Sequence, residues 1–212
     1  MFPPRSVSPN PKKMVGSIPS CIGQLINMYD LELHNNYLTG AIPASIGLMT
    51  KLHGLSLGVN RLSGPIPIQL SSLSSLEGMY LENNELSGNI PPTFASLKAL
   101  IALELDGNFL AGVIPVELGQ LSQIETLHLQ GNRLAGDLPE SFASLTNLTS
   151  FFFEGNFLSG DVPTSVEQTM CKLLTNPTIQ CNGGGNNFTE SACKEAPCTA
   201  KFCNLCESQK EN

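Results

Sequence analysis

The chain has 212 residues, and 11 Lys and Arg against 18 Asp and Glu leave a net charge of −7. This acidic balance argues against nucleic acid as a partner, because phosphate binding requires clustered basic side chains. No run of 18 apolar residues occurs, so no membrane span is predicted.

The amino-terminal segment, residues 1–11, is rich in Pro and Ser and is expected to be disordered. It lacks the apolar region of a secretory signal. Gly16 and Pro19 stand 24 residues before Gly40 and Pro43, so residues 12–24 match the second half of a repeat. We therefore expect a truncated chain start, with self-association through an uncapped amino-terminal edge.

Six full repeats of 24 residues follow, from residue 25 to residue 168, without insertion or deletion. Each repeat carries an asparagine, then a glycine four residues later and a proline three residues after that. The asparagines are Asn36, Asn60, Asn84, Asn108, Asn132 and Asn156. A fixed period of this length indicates stacked units in a solenoid.

The repeated pattern L-x-x-L-x-x-L-x-L-x-x-N-x-L-x-G-x-I-P, written in full from Leu97 to Pro115, resembles the plant-type leucine-rich repeat family. The resemblance implies an α/β-type repeat solenoid, a right-handed superhelix with a short parallel β-sheet on its concave side and a mostly irregular convex side. It also implies a second short strand in the L-x-G-x-I-P segment. It implies a binding architecture without naming a ligand.

Within each repeat, two apolar residues two positions apart, such as Leu103 and Leu105, predict a short strand whose intervening side chains point outward. The asparagine follows where this strand turns. Its short amide can pair backbone groups that would otherwise be buried without partners. We predict a structural ladder of asparagines with no catalytic role, within a repeat domain spanning residues 12–168.

The carboxy-terminal segment, residues 169–212, loses the repeat register after Pro163 and is predicted to be a cysteine-rich cap and tail, with a flexible loop at residues 182–187. The disulfide candidates are Cys171, Cys181, Cys193, Cys198, Cys203 and Cys206. Six cysteines allow 15 pairings, which sequence cannot resolve. Cys21, remote from them, is either a free thiol or the partner of a cysteine in a missing amino-terminal cap.

No metal site is predicted from the cysteines or histidines. The pair Cys203 and Cys206 lacks a second pair at suitable spacing for zinc. His34 and His53 lie at opposite ends of their strands, roughly 16 Å apart. No catalytic combination can be placed together, so we predict neither an enzyme nor a cofactor.

Two acceptor sequons for glycosylation occur, at Asn147 and Asn187. Together with the clustered cysteines, which suggest an oxidising compartment, they favour an extracellular or cell-surface location.

The outward positions of the predicted concave sheet hold the candidate binding site. Six of these 18 positions are carboxylates and none is Lys or Arg. The candidate ligand-binding residues are Asp30, Glu32, Tyr80, Glu82, Glu104, Asp106, His128, Gln130, Phe152 and Glu154. Carboxylates beside aromatic rings suit a ligand bearing Lys or Arg. We predict recognition of a basic peptide or protein, in signalling or defence, as in the receptor ectodomains and secreted inhibitors of the family resembled.

The alternative is a structural cell-wall or matrix protein that binds divalent cations through Glu82, Glu104 and Asp106. Ice binding is disfavoured because the position after each asparagine is irregular. Those residues are Tyr37, Arg61, Glu85, Phe109, Arg133 and Phe157.

Overall fold

The fold, taken from a computed structural model, is described for residues 13–173, 180–182 and 185–188. Short strands follow one another along the chain. They are β1 (Val15–Ser17), β2 (Asp30–Glu32), β3 (Tyr37–Gly40), β4 (Gly54–Ser56), β5 (Arg61–Pro65), β6 (Gly78–Tyr80), β7 (Glu85–Gly88), β8 (Ala102–Glu104), β9 (Phe109–Val113), β10 (Thr126–His128), β11 (Arg133–Gly136), β12 (Ser150–Phe152), β13 (Phe157–Gly160), β14 (Gln180–Asn182) and β15 (Asn187–Phe188). One α-helix, α1 (Thr164–Leu173), separates β13 from β14.

The strands form two parallel sheets that run along the solenoid. The even-numbered strands β2 to β14 make a seven-stranded sheet, and the odd-numbered strands β1 to β15 make an eight-stranded sheet. Residues one repeat apart pair directly, as Leu103 does with Met79 and Leu127. This confirms the predicted solenoid with its concave sheet, and the second short strand is present in every coil.

The convex side was expected to be mostly irregular, but six successive coils carry a 3-10 helix there and the next carries α1. These helices are Ser20–Gln24, Ala44–Leu48, Ile68–Ser72, Pro92–Ser96, Val116–Gln120 and Glu140–Ser144. Each begins after the proline of the repeat, whose backbone is extended, for example at Pro91 with φ −65° and ψ 122°. The proline carbonyl accepts the first bond of the helix, from Phe94 N–H to Pro91 O at 3.1 Å.

The core lies between the two sheets and the row of 3-10 helices, and it runs unbroken through all coils. The middle residue of each concave strand from β2 to β12 points into it and is at most 2% exposed. These residues are Leu31, Leu55, Met79, Leu103, Leu127 and Phe151. Near the carboxy-terminal end, Phe142, Phe151 and Phe153 pack ring against ring. Burying one such side chain stabilises the fold by about 1.5–3 kcal/mol.

The ladder asparagines join each coil to the coil before it. Asn108 Nδ2 donates to the Leu105 carbonyl of its own turn at 3.1 Å and to the Leu81 carbonyl of the preceding coil at 3.0 Å. Its Oδ1 accepts from Leu86 N–H at 3.0 Å. One buried amide therefore bonds backbone groups of two successive coils, and it supplies the acceptor for Leu86 N–H where the strands end.

A seventh, longer coil continues both sheets beyond the last regular repeat. Strand β14 pairs with β12, and β15 pairs with β13. Asn186, 30 residues after Asn156, accepts from Leu158 N–H at 3.0 Å and donates to Phe153 O at 2.9 Å. The prediction of a flexible loop at residues 182–187 is therefore wrong at residues 185–187. There the chain continues the asparagine ladder.

The expected boundary at residue 168 falls inside α1, whose residue Thr169 bonds the Ala143 carbonyl of the preceding coil at 2.9 Å. The side chains of Cys171 and Cys181 lie outside the described residues, as do the other four disulfide candidates and the amino-terminal segment at residues 1–11. The disulfide and disorder expectations therefore stay predictions.

The amino-terminal edge exposes apolar side chains, with Val15 76% and Ile26 53% exposed. Cys21 lies in the first 3-10 helix and is exposed and unpaired among the described residues. Self-association through this edge stays a prediction.

Within the described part of the chain, we find no helix that combines the length and apolar character needed to cross a membrane.

Candidate functional site

The concave face, defined as the outward side of the seven-stranded sheet, carries three columns of side chains in register. The first column holds Asp30, Gly54, Gly78, Ala102, Thr126 and Ser150, and the central column holds Glu32, Ser56, Tyr80, Glu104, His128 and Phe152. The third column, two residues further along, holds His34, Gly58, Glu82, Asp106, Gln130 and Glu154. The alternation of each strand and the unbroken 24-residue period together produce these columns.

His128 connects the carboxylates to the aromatic side chains. Its ring stacks on Phe152, with centroids 4.8 Å apart and an interplanar angle of 22°. Nε2 lies 2.7 Å from Ser150 Oγ, and Nδ1 lies 3.9 Å from Glu104 Oε1. The ring is therefore held on one face and at one nitrogen, and its other nitrogen faces the carboxylates.

Three carboxylates of the third column have raised pKa values. Burial raises the pKa of Glu82 from 4.5 to about 7, and the nearby negative charges of Glu104 and Asp106 add to the shift. Burial is also the first cause of the raised pKa values of Asp106 and Glu154. Water is partly excluded from this column, so a negative charge there is less stable than in solution.

Glu82 is buried because its carboxylate folds over the preceding coil. A Cβ placed on Gly58 would lie 1.8 Å from Glu82 Oε1, so only a glycine leaves room for this arrangement. Similarly, a Cβ on Gly78 would lie 2.6 Å from Cε2 of Tyr80. The two glycines let the larger side chains lie flat against the sheet.

A cleft of about 360 Å³ opens at the amino-terminal half of the concave face. Its floor includes Gly54 and Gly78, and its sides include Asp30, Glu32 and Tyr80. The side chains of Asp30 and Tyr80 lie over the two glycines, where a Cβ would come within 2.7 Å of Asp30 Oδ1 and 2.6 Å of Tyr80 Cε2, and the two carboxylates make the cleft acidic.

Several buried oxygens on this face have no hydrogen-bond partner in the described part of the chain. They are Oε2 of Glu82, Oδ1 of Asp106, Oε1 of Gln130 and Oε2 of Glu154. No described Lys or Arg side chain forms an ion pair with these carboxylates. Buried acceptors are normally paired, and these four oxygens have no donor within the described part of the chain.

The structure thus places all ten candidate residues on one face. Tyr80, Glu82, Glu104, Asp106 and His128 lie together at its centre, adjoined by Gln130, Phe152 and Glu154. Asp30 and Glu32 lie apart, beside the cleft.

Sequence reasoning missed two kinds of residue. One is Ser150, whose Oγ lies 2.7 Å from His128 Nε2. It is not among the candidate residues, although the register places it on the strand next to that of His128. Gly58 and Gly78 were also passed over, although a glycine at an outward strand position often marks close approach by another group.

The two predicted glycosylation sites differ in setting. Asn147 is exposed, and its Nδ2 donates to Ser122 O at 2.8 Å. Asn187 lies in β15, and its side chain is outside the description. Glycosylation of Asn147 and Asn187 stays a prediction.

Comparison with known proteins agrees with this architecture. A family model described as Leucine Rich Repeat matches residues 75–97 and 123–145. The comparison with curated proteins gives no match.

Three solved structures are similar to this chain. The ectodomain of the receptor kinase SOBIR1 from Arabidopsis thaliana is 36% identical over 60% of this chain and 70% of that chain, with a TM-score of 0.58. The Arabidopsis receptor kinase HAESA ectodomain, in complex with an N-terminal extended IDA peptide hormone ligand, is 34% identical over 87% of this chain, with a TM-score of 0.77. A plant ice-binding protein is 33% identical over 72% of this chain and 49% of that chain, with a TM-score of 0.67.

This chain spans only 30% of the HAESA chain, so similarity to that receptor covers a part of it. The SOBIR1 ectodomain, in contrast, is covered over 70% of its length at 36% identity. With its six 24-residue repeats, its two parallel sheets and its asparagine ladder, the chain belongs to the plant-type leucine-rich repeat family.

Proposed function

We propose that this chain is a non-enzymatic recognition module that binds a peptide or protein bearing Lys or Arg on its concave face. The observation that carries the proposal is the set of carboxylates aligned with rings at the centre of that face. Glu82, Glu104 and Asp106 lie beside Tyr80 and His128, and no described Lys or Arg forms an ion pair with these carboxylates.

A guanidinium or ammonium group would satisfy several features of this face at once. It would donate to the buried oxygens of Glu82 and Asp106 that lack partners, and charge-assisted hydrogen bonds of this kind contribute about 1.5–3 kcal/mol each. It could also lie over the ring of Tyr80, where a cation–π contact adds about 0.5–2 kcal/mol.

The size of the face suits an extended peptide. Six regular strands at about 4.8 Å spacing span roughly 24 Å, enough for about seven extended residues. The similar HAESA ectodomain holds a peptide hormone ligand in its crystal structure, which supports a peptide as the class of ligand.

We place the module outside the cell or at its surface, in signalling or defence. Its similarity to the ectodomains of HAESA and SOBIR1 supports this location. The sequons at Asn147 and Asn187 and the clustered cysteines agree with it, and glycosylation and disulfides are part of the proposal.

Ice binding is not proposed, despite the similarity to a plant ice-binding protein. The exposed position after each ladder asparagine varies between rings and charges of both signs, as at Tyr37, Arg61 and Glu85. Such a column has no repeating group that could match a regular lattice.

The test compares two variants of equal net charge. In one, Glu104→Lys and Asp106→Lys reverse the centre of the concave face. In the other, Glu85→Lys and Glu140→Lys reverse exposed carboxylates in β7 and in the last 3-10 helix. The probes are a labelled seven-residue peptide with alternating arginines and its counterpart with glutamines, measured by fluorescence anisotropy.

We expect the native chain to bind the arginine peptide at least about tenfold more tightly than the glutamine peptide. The concave variant should lose about 100-fold in affinity, because two charge-assisted bonds of about 1.5 kcal/mol each disappear. The control variant should stay within about threefold. Equal binding by the native chain and the concave variant, at both low and high salt, would refute the acidic face as the site.

A further inference from the structure

Glu104, Asp106 and His128 form a compact group of potential metal ligands at the centre of the concave face. Each offers one ligand atom, and these atoms lie within 4.8 Å of one another. The parallel register pairs Glu104 directly with His128, and Asp106 follows Glu104 by two residues on the same face. The backbone therefore fixes the three attachment points relative to one another.

The imidazole of His128 is already oriented as in metal sites of proteins. A metal-bound histidine usually donates its other ring N–H to a neighbouring oxygen, which fixes the tautomer and the ring plane. Ser150 Oγ lies 2.7 Å from Nε2, and Phe152 covers one side of the ring. With the proton on Nε2, the lone pair of Nδ1 points toward the carboxylates.

Asp106 provides an independent indication. Its Oδ1 is buried and has no hydrogen-bond partner among the described residues. A carboxylate oxygen in this situation would normally be paired. The neighbouring Glu82 Oε2 is unpaired as well, so negative charge gathers around this point without a described cation beside it.

We propose that Glu104, Asp106 and His128 bind a divalent transition-metal ion of the Zn²⁺ class. One imidazole and two carboxylates form a ligand set that zinc accepts. The fourth coordination position of the metal would stay open on the concave face. Ligand atoms about 2.1 Å from zinc lie about 3.4 Å apart. The Glu104 side chain is 26% exposed and can rotate to close the remaining distance.

This inference revises the expectation of no metal site. That expectation considered pairs of histidines and pairs of cysteines. The alternative of a divalent-cation protein named Glu82, Glu104 and Asp106, whereas the structure brings His128 instead of Glu82 to the other two carboxylates. Calcium is a poor fit because it takes six to eight oxygen ligands, which these three residues cannot supply.

The test is calorimetric titration of the full chain with zinc chloride, without any peptide. His128→Gln and Asp106→Asn each remove one ligand, and Ser150→Ala removes the hydrogen bond that orients His128. His34→Gln is the matched control, because His34 lies on the same face but three coils away. Thermal melting followed by circular dichroism verifies that each variant is folded, and Glu104→Gln, at a partly exposed position, replaces any variant that is not.

We expect the native chain to bind zinc at this site, and His128→Gln and Asp106→Asn to weaken that binding at least about 100-fold. Loss of an outer-shell partner such as Ser150 should weaken it about 10-fold, and His34→Gln should change nothing. Cobalt provides a second measurement, since nitrogen and oxygen ligands give only weak visible bands whereas cysteine ligands add an intense near-ultraviolet band.

The proposal is wrong if folded His128→Gln and Asp106→Asn variants bind zinc with native affinity and stoichiometry. It is also wrong if the cobalt spectrum of the native chain shows only cysteine ligation, or if calcium binds as tightly as zinc. Because no peptide is present, failure here leaves peptide recognition standing. Conversely, failure of the peptide test leaves the metal site standing.

Discussion

The two sheets of this solenoid use aromatic rings in opposite ways. On the eight-stranded sheet, two exposed rings lie under basic groups: the Arg133 guanidinium is 4.8 Å from the Phe109 centroid, and that of Arg61 is 5.4 Å from the Tyr37 centroid. On the concave face, the rings of Tyr80 and His128 lie beside carboxylates. The described arginines are thus paired on one sheet, and the other keeps its negative charge.

This difference shows how a repeat fold separates architecture from function. Both sheets rest on the same coils, the same core and the same ladder. Only the outward positions differ, and these are free to vary because they contribute little to packing. Where the chain places its own cations over its own rings, it stabilises a surface. Where the described carboxylates have no Lys or Arg beside them, we propose that the cation comes from a ligand.

The largest expected effect comes from breaking the ladder that holds both sheets in register. Asn108→Ala would leave the buried N–H of Leu86 without its acceptor. It would also remove the bonds to the carbonyls of Leu81 and Leu105, each of which keeps a bond from a neighbouring ladder asparagine. At about 1–3 kcal/mol for the unpaired N–H and about 0.5–1.5 kcal/mol for each of the two lost bonds, we expect a loss of roughly 2–6 kcal/mol in the free energy of unfolding, measured by urea denaturation.

The control for this variant is Asn147→Ala, since Asn147 is exposed and makes one bond to a backbone carbonyl. It should cost no more than about 1 kcal/mol. Similar losses from the two substitutions would contradict the role assigned to the ladder.

A smaller effect is expected from the buried charge of the concave face. The pKa of Glu82 is raised to about 7 in the folded chain, so the folded state binds this proton more tightly than the unfolded state. The stability that Glu82 contributes is complete below about pH 4.5 and is lost as the pH rises through about 7. The raised pKa values of Asp106 and Glu154 act in the same direction.

Glu82→Gln should therefore stabilise the chain at pH 8 relative to pH 5. We expect a difference of about 1 kcal/mol, after allowing for the solvent that reaches this half-exposed group. The measurement is urea denaturation of both proteins at the two pH values. Glu85→Gln on the other sheet is the control, and an equal pH dependence in both variants would argue against a buried Glu82 charge.

The smallest effect is expected on the eight-stranded sheet. Arg133→Gln removes the cation above Phe109 and should cost about 0.5–1 kcal/mol, as is usual for an exposed cation–π contact. A double-mutant cycle with Phe109→Leu isolates this coupling from other effects of each change. A coupling energy of zero would mean that the contact between Arg133 and Phe109 has no energetic value, and the contrast between the sheets would then rest on the concave face alone.

Periodicity made much of this molecule predictable. The ladder asparagines and the core residues recur at 24-residue intervals, and alternation along a strand fixes which side chains point outward. The sequence pattern did not predict Asn186 as a ladder asparagine, because its coil is six residues longer and carries Thr169 and Lys172 where leucines were expected. The remaining signal was the local spacing of Gly185, Asn186 and Phe188. It is the same as that of Gly155, Asn156 and Leu158 in the preceding repeat.

By itself, the sequence determined that the coils stack in phase and that carboxylates and rings share the concave face, because a strict period admits one register. Only the tertiary structure decided that Glu82 folds over Gly58, that Ser150 orients His128, and that Arg61 and Arg133 lie over rings of the other sheet. Each of these outcomes depends on side-chain torsions and on neighbours 22 to 24 residues distant. A repeat pattern determines the position at which a side chain is attached to the backbone, whereas the neighbouring residues determine its orientation.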